Sequence, residues 1–254
     1  MPAHASGRGA AHCAALGFGY RTRSGSHYTA HARAHLEYPG NPSGKIFTRA
    51  ELEAIAQLAE QHDLFVITDE IYEYFVYGGA RHISIATLPG MAERTITLSG
   101  FSKTFSVTGW RLGYLTASQR WLPAISFFHD MIYVCAPAPL QHGAAAGLLQ
   151  LPDAFYADLA AEYEKKRDIF CDALNDAGMT CVAPDGAYYV LADVSKISGA
   201  TAREKARTLL ARAGVAGVAG TAFFENGGEN LLRFCFAKKQ PELLEACKRL
   251  RSLA

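Results

Sequence analysis

The residues with the most chemical content fall in four short stretches. The first is Ser99-Gly100-Phe101-Ser102-Lys103-Thr104-Phe105-Ser106-Val107-Thr108-Gly109-Trp110-Arg111-Leu112-Gly113. A lysine between small residues is ordinarily a solvated surface group, because a buried ammonium is costly. Here glycine and hydroxyl residues flank Lys103, and Arg111 follows eight positions later. An amine that forms a Schiff base needs an aldehyde held beside it. If that aldehyde carries a phosphate, it needs a cationic partner too. Arginine suits that task, since its planar fork gives two parallel bonds to phosphate oxygens. Lys103 is therefore a candidate nucleophile and proton carrier. Arg111 is the candidate phosphate partner.

The second stretch is Thr68-Asp69-Glu70-Ile71-Tyr72, directly after an apolar run. Asp69 can be a simple cap at the end of a strand. It can also hold a pyridine nitrogen protonated, which turns that ring into an electron sink. If a helix starts at Asp69, Tyr72 shares its side and can donate to a phenolate oxygen on the same ring. The third stretch is Tyr38-Pro39-Gly40-Asn41-Pro42-Ser43-Gly44, a turn by its Pro and Gly density. Asn41 either caps that turn or offers its amide to the phenolate oxygen. The fourth is Asn230-Leu231-Leu232-Arg233-Phe234-Cys235-Phe236. Arg233 is either a strand arginine in a surface ion pair or a two-pronged clamp for a carboxylate.

Elements of an α/β protein surround these residues. Thr48-Arg49-Ala50-Glu51 reads as a capping box, and Leu52, Ile55, Ala56 and Ala59 continue at helical spacing. Leu64 to Thr68 reads as a strand buried on both faces. Thr95 to Leu98 and Leu112 to Thr116 read as two more, in a largely parallel sheet with helices on its faces. Pro152 to Ala177 reads as a long helix with Phe155, Leu159, Tyr163, Phe170 and Leu174 on one side, stopped by Gly178. Ala187 to Leu191 and Leu231 to Phe236 read as strands, and Ala202 to Ala213 and Pro241 to Leu253 as helices.

Composition narrows the function classes. Half of the 254 residues are hydrophobic and the net charge is +1, so nothing global points to nucleic acid or a membrane surface. No apolar stretch is long enough for a membrane span. Six cysteines lie scattered without CxxC pairs, which reads as reduced thiols in a cytoplasmic setting and gives no metal site. Residues 1–36 carry four arginines, five of the nine histidines and no acid, leaving 21 of the 25 basic residues to face 24 acidic ones. This head reads as a disordered or non-native segment in preference to a transit peptide. Three segments are expected: the head at 1–36, a large domain at 37–150, and a small α+β domain at 151–254.

The order Asn-Pro-Ser-Gly, Asp-Glu-Ile-Tyr, Ser-Lys-Thr-Phe…Gly-Trp-Arg-Leu-Gly and a late strand arginine resembles class I/II (fold-type I) aminotransferases from about Glu37 to the C-terminus. Asp185-Gly186-Ala187-Tyr188-Tyr189 is similar to the strand entry of their small domain. The resemblance implies pyridoxal 5'-phosphate as cofactor, with Lys103 as the Schiff-base lysine and Asp69 on the pyridine nitrogen. It places Tyr72 and Asn41 on the phenolate oxygen, Arg111 on the phosphate and Arg233 on the substrate carboxylate. Where some relatives have serine three residues before the lysine, this chain has Gly100, so a hydroxyl contact to phosphate has to come from Ser102 or from elsewhere. Transamination between an amino acid, neutral or aromatic, and a 2-oxo acid is implied, in a homodimer. Only forty residues precede Asn41. The family's usual glycine-containing phosphate loop and stacking ring have no clear counterpart there, Gly7-Arg8-Gly9, Phe18 and Tyr20 being weak substitutes. The chain is thus expected to be N-terminally truncated, to bind cofactor poorly, to turn over slowly or not at all, and to expose apolar surface. A carbon–sulfur lyase or other fold-type I enzyme, and an inactive aminotransferase-like fragment or sensing module, are the competing expectations.

Overall fold

A computed structural model describes residues 33–253, so most of the expected head, with Gly7, Phe18 and Tyr20, lies outside the described residues. The chain forms two compact units. One comprises residues 33–38, 47–71 and 83–150, and the other 39–46, 72–82 and 151–253. The second unit thus draws on two segments that precede residue 150.

The first unit is built on a four-stranded sheet, order β1-β2-β3-β4, with β1 at Arg33–Glu37, β2 at Phe65–Asp69, β3 at Thr95–Gly100 and β4 at Gly113–Ala117. β1 begins within the stretch read as the head, at Arg33, and ends one residue beyond it. Ala34 and Leu36 are buried there and pair in register with Val66 and Thr68. The first three strands are parallel. β4 is antiparallel to β3, the one exception in the largely parallel sheet expected, because residues 101–112 fold straight back instead of crossing over. Helix α1 (Arg49–Gln61) opens with the expected capping box. The Glu51 amide donates to Thr48 Oγ1 at 3.3 Å, and the Thr48 amide donates to Glu51 Oε2 at 2.8 Å. Its Leu52, Ile55, Ala56 and Ala59 are buried in one core with Leu36, Tyr38, Val66, Ile85 and Met91. Burying each large aliphatic side chain contributes about 1.5–3 kcal/mol. β2 is not buried on both faces. Val66 and Thr68 are buried, whereas Phe65, Ile67 and Asp69 are only half-buried, since α1 covers one face of this strand and the other is less deeply covered.

Two further helices follow, neither foreseen from the sequence. α2 (Leu122–Ile132) carries a proline in its first turn and has no buried residue. Phe127, Phe128, Met131 and Ile132 are exposed, Ile132 at 82%, which is the exposed apolar surface expected above. α3 (Ala138–Gln150) buries only Ala144.

The second unit contains α4 (Asp153–Asp176), β5 (Tyr189–Asp193), α5 (Ala202–Ala213), β6 (Val218–Ala219), β7 (Leu231–Cys235) and α6 (Gln240–Arg251). Its sheet runs β5-β7-β6, all antiparallel. Gly178 ends α4 in the left-handed region at φ +75°, and the Met179 amide turns back to donate to the Leu174 carbonyl at 2.9 Å. β5 begins two residues later than the spacing suggests. Ala187 has φ +57°, and its carbonyl accepts from the Tyr77 hydroxyl at 2.6 Å, so it belongs to a turn. Val190, Leu232 and Phe234 from the sheet and Leu174, Leu243 and Leu250 from the helices are buried.

Candidate active site

In the first unit, the sheet gathers four of the chemically suggestive residues at one edge. β3 ends at Gly100 and β4 begins at Gly113, and these two glycines are direct partners across the ladder. The loop between them, residues 101–112, carries Ser102, Lys103 and Arg111. Asp69 is the last residue of β2, paired with Leu98. Asp69 and the loop therefore share the carboxyl edge of the parallel strands, where open α/β sheets hold ligands.

Close packing holds the loop in place. A Cβ on Gly100 would stand 2.9 Å from the Leu112 carbonyl oxygen and 3.0 Å from Gly113 Cα. Any larger residue would force the two strand ends apart, which accounts for glycine at this position. The Ser106 amide donates to the Lys103 carbonyl at 3.1 Å, and the Thr108 hydroxyl donates to the Ser102 carbonyl at 2.8 Å. Phe101 and Phe105 stack at 5.6 Å. On α3, Gly143 and Gly147 sit one turn apart. A Cβ on them would come within 2.8 Å of the Trp110 ring and 3.0 Å of the Phe105 ring. These two glycines, which sequence reasoning passed over, let two aromatic anchors of the loop seat against the helix; their i, i+4 spacing in a helical stretch is the signal that could have found them. Ser106 and Arg111 adopt left-handed backbone at φ +55° and +56°, a conformation that costs energy in non-glycine residues and tends to concentrate at functional loops. Lys103 and Ser102 are half-buried and Arg111 is exposed. Arg111 Nη1 donates to the Thr108 carbonyl at 3.1 Å.

Asp69 keeps the simpler role and leaves room for the other. Its Oδ1 accepts from the Ile71 amide at 3.1 Å, capping the strand end. No helix starts there. The stretch after it is a run of turns, with the Phe75 amide donating to the Tyr72 carbonyl at 2.8 Å, so the helical spacing imagined for Asp69 and Tyr72 is not realised.

The second unit holds Asn41, Tyr72 and Arg233. The Asn41 turn is tied by the Gly44 amide to the Gly40 carbonyl at 2.7 Å, and the Asn41–Pro42 peptide is cis. Gly44 has φ +68°, and a Cβ there would lie 2.3 Å from Pro184 Cβ, so only glycine lets the turn sit on Pro184. Arg233, central in β7, donates from Nη1 to Asn41 Oδ1 at 2.8 Å. That bond fixes the amide with its NH₂ as the donor side. Arg233 is no surface ion-pair arginine. Its guanidinium lies 4.2 Å from the Tyr189 ring centroid and 4.5 Å from that of Phe223, and its Nε is buried without a hydrogen-bond partner. A guanidinium between two rings, with Nη1 engaged and Nε unanswered, has a donor left with which it can meet an anion. Phe223 carried no signal in the sequence, since it sits in an irregular segment.

Tyr72 is buried and donates to the Tyr189 hydroxyl at 3.4 Å, within a cluster of Phe75, Tyr188 and Tyr189 rings. Burial first, then the hydrogen bond with Tyr189, pushes its phenol well above the ordinary tyrosine range. Tyr72 is thereby held as a protonated donor. Among the described residues, no group of three or more His, Cys, Asp or Glu side chains is placed to hold a metal ion, and no helix is long and apolar enough to cross a membrane.

The family described as aminotransferase class I and II matches residues 34–250. An aromatic-amino-acid aminotransferase 2 of Thermococcus litoralis is 39% identical over 217 residues, covering 85% of this chain and 55% of that protein. Kynurenine–oxoglutarate transaminase 3 of Mus musculus is 36% identical, over 82% of this chain and 50% of its own length. Among solved structures, the aromatic aminotransferase of Pyrococcus horikoshii aligns with a TM-score of 0.79 at 37% identity, over 86% of this chain and 58% of that one. YbdL of Escherichia coli, whose structure identified a methionine aminotransferase function, aligns with a TM-score of 0.82 at 34% identity, over 86% and 57%. The chain spans about half the length of the curated relatives it matches. With the family match running through both units and all four motifs, this chain belongs to the class I and II aminotransferases.

Proposed function

We propose that this chain serves pyridoxal-phosphate-dependent transamination between an amino acid and a 2-oxo acid, with Lys103 as the lysine that binds the cofactor. One observation carries the reading: the loop between Gly100 and Gly113 presents Lys103 and Arg111 at the same sheet edge as Asp69. The donor set fits that cofactor. An amine suits its aldehyde, Arg111 and the Ser102 hydroxyl suit its phosphate, and a carboxylate suits its ring nitrogen. Pyridoxal phosphate, when bound, supplies a protonated ring that draws negative charge away from the substrate α-carbon. Lys103 would take the α-carbon proton as general base and return a proton as general acid. Asp69, one of whose oxygens caps the Ile71 amide, would keep the ring nitrogen protonated through the other. In the second unit, Asn41 and Tyr72 would serve as donors to the phenolate oxygen, and Arg233 would grip the substrate α-carboxylate.

The unpartnered Nε of Arg233 supports the carboxylate role, and the Tyr189 and Phe223 rings flanking it favour a neutral or aromatic amino acid. Homodimer formation belongs to the same proposal, since pairing would cover the exposed apolar side chains of α2. A cytoplasmic location rests on the scattered cysteines. The test is reduction of a mixture of chain and pyridoxal phosphate with borohydride, followed by peptide mapping. Label concentrated at Lys103 supports the proposal. Label spread over surface lysines refutes it.

A further inference from the structure

Two cysteines of the second unit stand apart from every residue assigned above. Cys171 is buried on the inner face of α4. Cys181 is half-buried beyond the end of that helix, in an isolated antiparallel bridge with Ala192 of β5. The chain reverses between them at Gly178 and Met179. The Cys181 amide donates to Asn175 Oδ1 at 3.1 Å, which pins the returning strand to the last turn of the helix. Cys181 Sγ then lies 3.8 Å from the Cys171 carbonyl oxygen, so the two cysteines meet across the chain reversal.

The pair is asymmetric. The Cys171 thiol is pushed up by its bond to Cys181 and by burial, while the bond from Cys171 holds the Cys181 thiol below its ordinary value. The more accessible sulfur is therefore the one that ionises more readily, and the thiolate is the reactive form.

We propose that Cys171 and Cys181 form a peroxide-sensitive dithiol that closes to an intramolecular disulfide. The Cys181 thiolate attacks one oxygen of hydrogen peroxide, and the O–O bond breaks. Cys181 becomes a sulfenic acid, and the departing hydroxide takes a proton to leave as water. The Cys171 sulfur, giving up its proton, attacks the Cys181 sulfur, the S–O bond breaks, and a second water leaves. One peroxide is reduced to two waters while two thiols are oxidised to one disulfide. The new bond ties the end of α4 to the segment bridged to β5 and closes a short loop, so it restricts the unfolded chain and stabilises the second unit.

The test uses the full 254-residue chain. Reduced protein is treated with hydrogen peroxide, remaining thiols are alkylated under denaturing conditions, and the chain is cut before aspartate without reduction. Cleavage before Asp168, Asp172, Asp176 and Asp185 separates the two cysteines onto peptides 168–171 and 176–184. The expected product is those two peptides joined, lighter by two hydrogens than their sum. In Cys171→Ser, Cys181 is expected to capture dimedone as its sulfenic acid adduct. In Cys181→Ser, Cys171 is expected to stay reduced under the same treatment. The oxidised protein should melt several degrees higher and revert on reduction. Both thiols alkylated after peroxide, a disulfide from Cys181 to another cysteine, or an oxidised form with an unchanged melting temperature would each overturn the proposal.

Discussion

Replacing Arg167 with methionine tests how the second unit supports its Asn41 turn. Arg167 is almost fully buried on α4. Its Nε donates to Asp168 Oδ1 at 2.8 Å, Nη2 to Glu164 Oε1 at 3.1 Å and Nη1 to the Pro184 carbonyl at 3.1 Å, and its guanidinium lies 5.0 Å from the Tyr77 ring centroid. Pro184 is the residue on which Gly44, and so the Asn41 turn, is seated. Two carboxylate contacts look dominant, but their side chains are 38% and 54% exposed. They rehydrate when the guanidinium leaves, so together they contribute no more than about 1 kcal/mol. The Pro184 carbonyl is buried and would lose its partner, at about 1–3 kcal/mol. The contact with Tyr77 adds about 0.5–1 kcal/mol. Arg167→Met should therefore cost about 2–4 kcal/mol in urea unfolding followed by circular dichroism. Because the buried carbonyl dominates, raising salt to about 0.5 M should change that difference by less than about 0.5 kcal/mol. A loss below about 0.5 kcal/mol, or one that vanishes in salt, would show that the surface ion pairs carry the effect and would refute this reasoning.

Three more outcomes follow from the same geometry. Gly44→Ala should lower stability by more than about 2 kcal/mol in a thermal melt, since the clash is with Pro184 Cβ and the Gly186 carbonyl, and the backbone must also hold φ +68°; a neutral result would show that the turn moves freely. Arg233→Lys should raise KM for the amino acid about tenfold or more, as a point charge replaces a fork, without altering attachment of pyridoxal phosphate; an unchanged KM contradicts the carboxylate role. Burial pushes the phenols of Tyr38, Tyr72 and Tyr77 above the ordinary value. Their contribution to stability is full below about pH 10, where the unfolded phenols ionise, and is lost as pH rises from there toward the folded values. Absorbance near 295 nm should show these phenols silent at about pH 11 until the chain unfolds; ordinary titration of every tyrosine would contradict their burial.

How much of this was legible in the sequence depended on whether the signal was local. The capping box at Thr48 and Glu51, the stop of α4 at Gly178, and α5 at Ala202–Ala213 are written in neighbouring residues and appear where expected. The direction of β4 was not legible, since parallel and antiparallel strands share one alternation and only the fold-back of residues 101–112 decides between them. α3 was missed because alanine, glycine and leucine are spread around it and leave no one-sided period to read. Within the site, residue types at Lys103, Asp69, Asn41 and Arg233 could be read, but their partners could not. Phe223 reaches Arg233, and Gly143 and Gly147 receive Trp110 and Phe105, only through tertiary packing. The assumption that a helix follows Asp69 failed for a local reason: the aspartate bonds the Ile71 amide and initiates turns.

The most direct test of the central claim is the absorbance spectrum of the purified chain with pyridoxal phosphate, compared with Lys103→Ala. A visible band that borohydride abolishes, with the reduced cofactor on Lys103 and no such band in the variant, is the predicted result. Equal bands in both proteins, or reduced cofactor on other lysines, would contradict the assignment of Lys103.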